Sequence, residues 1–141
     1  MHDDDPRAVI ERIRAALDAH DVDALVECFA DDYVLEAPAH PALGFSGAAQ
    51  VRKNQKAALA AVPDLRVTVV RTAVEGETAW AEWEWCGTRR DGSSHLMRGV
   101  TINGIREGRV AWARFFMEPV EIDGPDVQTA IRRQTREGHQ P

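Results

Sequence analysis

Two glutamates on one segment are the residues best spaced for chemistry. Residues 79–88 read A-W-A-E-W-E-W-C-G-T, with Glu82 and Glu84 separated by a single tryptophan. On a β-strand alternate side chains point to opposite faces, so both carboxylates share one face and lie about 6–7 Å apart. With one carboxyl protonated and the other ionised, such a pair supplies a general acid and a general base. This chemistry would suit epoxide opening, ring closure or isomerisation of a small apolar substrate.

The alternation leaves two orientations of this strand open. In the first, Trp83 and Trp85 lie on the outside, and an apolar cavity receives the other row, which is Trp80, Glu82, Glu84 and Cys86. A bare tryptophan pair in water is unfavourable, so this orientation requires a partner subunit or the C-terminal helix as a cover. In the second, the tryptophan pair fills the core, and the glutamates face water or pair with Arg98 or Arg114.

Other reactive side chains give weaker signals. His40, in the loop A-P-A-H-P-A-L-G-F, is a candidate at the mouth of a cavity, although a loop histidine is more often a surface residue. Cys86 has no histidine beside it that would activate a nucleophile. The five histidines are scattered without a pair at ligand spacing, so no metal site is predicted. No glycine-rich phosphate motif is present, and no cofactor is predicted.

The composition narrows the class of protein. The 141 residues predict one globular domain, and the net charge of −6 makes nucleic acid an improbable partner. Two cysteines without a secretory sign predict reduced thiols. The N-terminal M-H-D-D-D-P has no apolar run, and no segment is long and apolar enough to cross a membrane. These observations predict a cytoplasmic protein with no membrane partner.

Periodicity changes once along the chain. Apolar residues recur at helical spacing before Pro63 and alternate with period two after it. Asp5-Pro6 begins the first helix, a short second helix follows, and Ser46 is a plausible cap for the third. The predicted strands and the terminal helix occupy residues 33–37, 65–74, 78–88, 95–105, 109–120 and 124–137. Helices that precede an antiparallel meander predict an α+β domain.

The chain resembles the nuclear-transport-factor-2-like superfamily and its SnoaL-like proteins. The similarity covers about residues 7–120 and rests on F-A-D-D-Y-V-L-E-A-P (29–38), F-S-G-A-A-Q-V (45–51), W-C-G-T (85–88) and G-R-V-A-W-A-R-F-F-M-E-P-V (108–120). The resemblance implies a cone-shaped curved antiparallel sheet wrapped around three N-terminal helices, with a C-terminal helix. It also implies an apolar cavity for a small organic molecule and a homodimer.

The catalytic residues of related families mostly do not carry over. In ketosteroid isomerases the general base, the tyrosine and its carboxylic-acid partner match Ala37, Ile13 and Thr101, and an apolar alanine and isoleucine cannot move a proton. Limonene epoxide hydrolases use an Asp-Arg-Asp set. Its arginine and first aspartate match Glu82 and Glu84, so the positive charge is replaced by a negative one, and its second aspartate matches Phe115, so that acid is lost.

The resemblance also implies an orientation for the strands. It directs Glu82 and Glu84 into the cavity as the candidate catalytic pair. The ligand-binding residues it implies are Trp80, Cys86, Met97, Thr101, Asn103, Phe115 and Met117, with His40 from the loop. The sequence leaves two functions open: an acid–base isomerase, cyclase or epoxide-opening enzyme, and a non-catalytic ligand-binding or dimerisation domain.

Overall fold

Residues 5–137 are described by a computed structural model of the chain. Four helices and six strands follow one another in the order α1 (Pro6–Ala19), α2 (Val22–Val26), β1 (Phe29–Glu36), β2 (Phe45–Ser46), α3 (Ala48–Ala61), β3 (Arg66–Glu75), β4 (Thr78–Thr88), β5 (Ser94–Arg106), β6 (Arg109–Pro119) and α4 (Val127–Glu137). The predicted α+β class is confirmed. The first four residues of the acidic N-terminal segment, and residues 138–141, lie outside the described part.

Local sequence determines where the first helix, α1, begins and ends and which side of it is buried. The Asp5 carboxylate accepts a hydrogen bond from the Arg7 backbone N–H at 3.1 Å, so it caps the helix that Pro6 begins. The helix ends at His20, whose φ of 61° is left-handed. The His20 ring nitrogen Nε2 lies 2.7 Å from the Leu65 carbonyl oxygen, which ties the end of α1 to the start of β3. The apolar stripe of the helix packs on β3 and β4 and is buried at Val9, Ile10, Ile13, Ala16 and Leu17.

The curved sheet has the strand order β2-β1-β6-β5-β4-β3. Strands β3 to β6 form the predicted antiparallel meander, but β1 pairs with β6 in parallel, so the sheet is mixed. Cross-strand partners place Trp83 opposite Gly99, and Gly99 opposite Met117. Residues directly opposite each other point to the same face. One row of side chains on the face toward the helices therefore runs through these three residues.

Three boundaries differ from the sequence prediction. Strand β1 begins at Phe29 rather than Tyr33, because a register shift between Phe29 and Val34 lets the acidic pair 31–32 face solvent inside the strand. Ser46 does not cap α3: it pairs with Val34 in β2, and Gly47 occupies the cap position with a φ of 95°. Helix α4 begins three residues later than predicted, where the Asp126 carboxylate accepts the Thr129 backbone N–H at 2.9 Å.

Residues 5–137 contain neither a membrane-spanning helix nor a cluster of metal-binding side chains. None of the helices is long and apolar enough to span a membrane. No three side chains of His, Cys, Asp or Glu come together in this part of the chain as a metal site would require.

Candidate functional site

A cavity of about 330 Å³ lies between the helices and the concave face of the sheet. From the sheet it is lined by Trp83, Trp85, Thr101, Asn103, Ala113 and Phe115. The helices contribute Ile13, Leu17, Leu25, Val51, Gln55 and Ala58. The first two strands and the loop that joins them close the remaining side with Phe29, Tyr33, Leu35, Leu43 and Phe45. The cavity wall therefore combines residues of the N-terminal half of the chain with residues of the long strands that follow it.

Within residues 5–137, the lining of this cavity carries no formal charge. Asn54 completes the wall, and none of the lining residues is Asp, Glu, His, Lys or Arg. Among the described residues of the lining, the one titratable group is Tyr33, which is 3% exposed and packs edge-to-face against Phe29 and Phe45. Burial raises the pKa of the Tyr33 phenol, so this hydroxyl stays protonated at neutral pH. The cavity wall thus offers hydrogen bonds but no ionised acid or base.

A small polar cluster lies on the sheet side of the cavity. The Trp83 indole Nε1–H donates to the Thr101 hydroxyl at 2.9 Å. The Asn103 amide Nδ2 donates to the same Thr101 oxygen at 2.9 Å and to the Ala79 carbonyl at 3.2 Å. Trp83, Thr101 and Asn103 are between 3% and 8% exposed, so these bonds form away from water. Buried polar groups of this kind are fixed in place by their mutual hydrogen bonds.

Two further donors that belong to the lining lack partners. Gln55 Nε2 and Trp85 Nε1 are buried, and neither has a hydrogen-bond acceptor within the described part of the chain. A buried unpaired donor is unfavourable by about 1–3 kcal/mol. Since both side chains border the cavity, a bound molecule with an acceptor atom would relieve part of that cost.

The mouth of the cavity is formed by the loop between β1 and β2. Leu43 lines the cavity and yet is 57% exposed, so it lies at the rim. His40, three residues earlier, is not part of the lining: its Nε2 lies 2.8 Å from the Glu118 carboxylate at the end of β6. The predicted ligand-binding role of His40 is therefore replaced by a contact that fastens the rim loop to the sheet.

The orientation that the family resemblance implied for β4 is wrong. Glu82 and Glu84 point away from the cavity, where Arg71 Nε lies 3.0 Å from Glu82 and Arg98 Nε lies 2.9 Å from Glu84. Both carboxylates are partly exposed on the convex face of the sheet. The tryptophans take the opposite side: Trp83 is buried, and both it and Trp85 line the cavity. Two indoles bury far more apolar area than two carboxylates, and an ionised carboxylate would need a buried partner there.

The other predicted site residues divide into three groups. Thr101, Asn103 and Phe115 line the cavity, as expected. Trp80 and Cys86 follow the glutamates to the convex face, because they share the alternation of β4. Met97 and Met117 have the concave orientation that was predicted, opposite Trp85 and Gly99, but neither lines the cavity. Met117 is 3% exposed and belongs to the packed core instead.

The sequence prediction missed the contribution of α3 and β1. Gln55 lies between Val51 and Ala58 at helical spacing, so a polar residue inside an apolar stripe was the available signal. Tyr33 and Leu35 alternate with exposed Val34 along β1. That pattern of period two marks the same concave face.

Comparison with known proteins gives a family. The sequence pattern described as a SnoaL-like domain matches residues 10–113. No curated protein matches the chain significantly.

Solved structures share the fold at low sequence identity. AclR from Streptomyces galilaeus, a proposed hydroxylase, is 15% identical with a TM-score of 0.70, covering 96% of this chain and 97% of its own. IdmH from Streptomyces antibioticus, a proposed polyketide cyclase, is 20% identical with a TM-score of 0.67, covering 80% and 91%. A Catenulispora acidiphila protein with a ketosteroid isomerase-like fold, solved with trimethylamine, is 18% identical with a TM-score of 0.64, covering 77% and 84%.

Proposed function

Since this chain belongs to the SnoaL-like domain family, we propose that it binds a small, neutral and largely apolar organic molecule in the cavity between its helices and its sheet. The observation that carries the proposal is the absence of any charged side chain among the described residues that line the cavity. An ionised ligand would lose its hydration on entry without finding a counter-ion, which is strongly unfavourable. A neutral ligand meets aromatic and aliphatic surface instead.

The size of the cavity limits the ligand further. A volume of about 330 Å³ is at the lower end of the range found for small-molecule sites. Trp85 and Phe115, whose ring centroids are 6.1 Å apart, form an aromatic wall on the sheet side. Such a wall favours a flat or ring-containing molecule, which can stack on or meet the edges of these rings.

A cyclase or isomerase type of reaction is the second candidate function. It is favoured by the unpaired donors on Gln55 and Trp85, because neutral N–H groups can polarise a carbonyl and stabilise the oxyanion that forms. Proton transfer would then involve groups of the substrate or water, since the described part of the lining supplies no carboxylate. Epoxide opening through Glu82 and Glu84 is not part of this proposal, because those side chains lie on the opposite face.

A matched pair of fluorescent probes tests the binding proposal. N-phenyl-1-naphthylamine is neutral, and 8-anilinonaphthalene-1-sulfonate is nearly the same molecule with a sulfonate. We expect the neutral probe to brighten on binding, with at least tenfold higher affinity than the anion. Equal affinity for both, or tighter binding of the anion, would contradict a cavity selected for neutral ligands.

Two variants on one helix locate that binding. Ala58→Leu places an isobutyl group in the cavity, whereas Ala57→Leu places the same group on the exposed side of α3. The helix propensities of Ala and Leu are close, so both variants are expected to fold. We expect the Ala58 variant alone to weaken binding of the neutral probe. If Ala57→Leu were equally damaging, or Ala58→Leu had no effect, the probe would be bound elsewhere.

The convex face supports a proposed homodimer. Val34 on β1 pairs with Trp112 on β6, and these residues are 43% and 41% exposed. The Arg114–Glu36 ion pair, at 2.9 Å, borders this apolar patch. A patch with both charge signs at its rim can match a copy of itself across a twofold axis. Sedimentation should show a dimer for wild type and loss of that dimer for Trp112→Ser. If wild type and Trp112→Ser were both monomers, the proposed dimer would be rejected.

Cytoplasmic localisation stays a prediction.

A further inference from the structure

The Thr101 hydroxyl at the cavity wall has an unusual set of neighbours. A hydroxyl can accept two hydrogen bonds and donate one. Both acceptor positions of Thr101 Oγ1 are used, because Trp83 Nε1 and Asn103 Nδ2 each lie 2.9 Å from it. An indole nitrogen can only donate, so the direction of the first bond is certain.

The direction of the second bond is fixed by the surroundings of the Asn103 amide. Its Nδ2 also lies 3.2 Å from the Ala79 carbonyl oxygen and 3.3 Å from the Thr101 carbonyl oxygen. Both of these oxygens can only accept. Turning the amide over would bring its own oxygen against two carbonyl oxygens, which is repulsive. The NH₂ group therefore occupies this position and donates to Thr101 Oγ1.

The remaining capacity of Thr101 is one O–H donor. With both lone pairs occupied, its proton must point away from Trp83 and Asn103. Among residues 5–137 the hydroxyl donates to no acceptor, and Thr101 borders the cavity. We propose that Thr101 is a specificity-determining residue whose O–H donates to a ligand carbonyl, or a similar acceptor oxygen, in this cavity. The inference rests on the proposed binding function and names the chemical class of the ligand.

This arrangement discriminates between ligands of equal shape. A carbonyl oxygen completes the hydrogen bonding of Thr101. A hydrocarbon in the same pose leaves the O–H unpaired and buried. A ligand group that can only donate meets an oxygen whose lone pairs are already occupied. The preferred ligands are therefore ketones, aldehydes, esters and other neutral acceptors.

Acetophenone and α-methylstyrene provide the test, because they differ in having C=O or C=CH₂ at one position. Binding to the full-length protein is followed by chemical-shift titration of its backbone amides. We expect acetophenone to bind at least tenfold more tightly, equivalent to about 1.4 kcal/mol. Equal affinities would overturn the Thr101 assignment and leave the proposed binding function standing. If neither probe bound, the binding function itself would fail, and this inference with it.

Two variants assign the preference to the hydroxyl. Thr101→Val removes the O–H at nearly constant shape, and we expect the ratio of the two affinities to fall to about one. Thr101→Ser keeps the hydroxyl and should keep the ratio. A purely structural role would weaken both probes together without changing their ratio. A preference that survived in Thr101→Val would place the carbonyl on other donors, such as Gln55 or Trp85, and reject the proposal.

A spectroscopic measurement on the unmodified protein covers the case in which Thr101→Val does not fold. Acetophenone labelled with ¹³C at its carbonyl should move downfield on binding to wild-type protein and to Thr101→Ser, because a donated hydrogen bond withdraws electron density from that carbon. A bound carbonyl resonance at its position in an apolar solvent would show that the oxygen accepts no hydrogen bond, which would overturn the proposal.

Discussion

The orientation of β4 is tested by a pair of substitutions at adjacent positions, Trp83 and Glu84. Trp83→Phe removes the indole N–H bond to Thr101, which contributes about 1 kcal/mol. It also removes roughly 50 Å² of buried apolar surface, or about 1 kcal/mol at 25 cal/mol per Å². We therefore expect the free energy of unfolding to fall by about 2 kcal/mol.

The matched substitution is Glu84→Gln on the convex face. Its ion pair with Arg98 joins side chains that are 35% and 59% exposed, and pairs of this kind contribute about 0–1 kcal/mol. Salt screens that contribution, so the difference between Glu84→Gln and wild type should shrink further at 1 M NaCl. The affinity for the neutral probe should stay unchanged, because Glu84 does not line the cavity.

Urea unfolding followed by far-UV circular dichroism measures both effects without depending on tryptophan emission. The slopes with urea should match wild type, so that the midpoints report stability. If Glu84→Gln destabilised the protein as much as Trp83→Phe, or if it abolished probe binding, the carboxylate would have to lie inside. That result would refute the assignment of the two faces.

Three further predictions concern single positions. Gly99→Ala should lower the free energy of unfolding, measured in urea, by about 3 kcal/mol, because a Cβ there would lie 2.1 Å from the Phe116 carbonyl oxygen on the paired strand. Gly92→Ala is the control: φ is also positive at Gly92, but nothing lies within 4 Å of the added Cβ, so the free energy of unfolding should fall by only about 1 kcal/mol. Tyr33 is the sole tyrosine, and burial raises the pKa of its phenol, so the free energy of unfolding should fall as the pH rises above the ordinary tyrosine range. The absorbance of tyrosinate at 295 nm should therefore appear together with unfolding and not before it. Hydrogen bonds from the Val67 backbone N–H and then from the Arg66 guanidinium lower the pKa of the Asp18 carboxyl. The contribution of Asp18 to stability is therefore present above about pH 4 and is lost as the pH falls through the lowered pKa. Asp18→Asn should make the free energy of unfolding less dependent on pH in that acid range, and an unchanged pH dependence would contradict this role of Asp18.

The sequence was sufficient for the fold because its two periodicities are unambiguous. The helical stripe of α1, capped by Asp5, and the alternation of the four long strands define an α+β domain without further information. The parallel pairing of β1 with β6 was not predictable from these patterns. That pairing joins residues about eighty positions apart, and the short strand carries no local signal for its partner.

The faces of β4 could not be fixed because they depend on the register of one hairpin. A complete two-residue turn at Asp91-Gly92 would pair Arg90 with Ser93, and would bring Glu82 opposite Thr101. The structure has a five-residue connection instead, with Thr88 opposite Ser94 and Ala81 opposite Thr101. The shift is one residue, and it exchanges the two faces of the strand.

An independent clue to the correct register was present in β3. Val67 and Val69 alternate with polar residues, and they pair with Trp85 and Trp83. The valines and the tryptophans therefore form one apolar surface, while Thr68 lies opposite Glu84 on the other. Matching polar with polar across this hairpin favours the observed orientation over its alternative.

The parallel pairing of β1 with β6 has a consequence for how the protein matures. The meander from β3 to β6 joins neighbours in sequence and can assemble early, whereas β1 must wait for the last strand before it has an edge to join. Phe29, Tyr33 and Leu35 line the cavity from β1, so we expect the complete pocket to form only after β1 has joined β6. On that expectation, a small molecule that binds the pocket would stabilise the finished fold without accelerating the earlier folding steps.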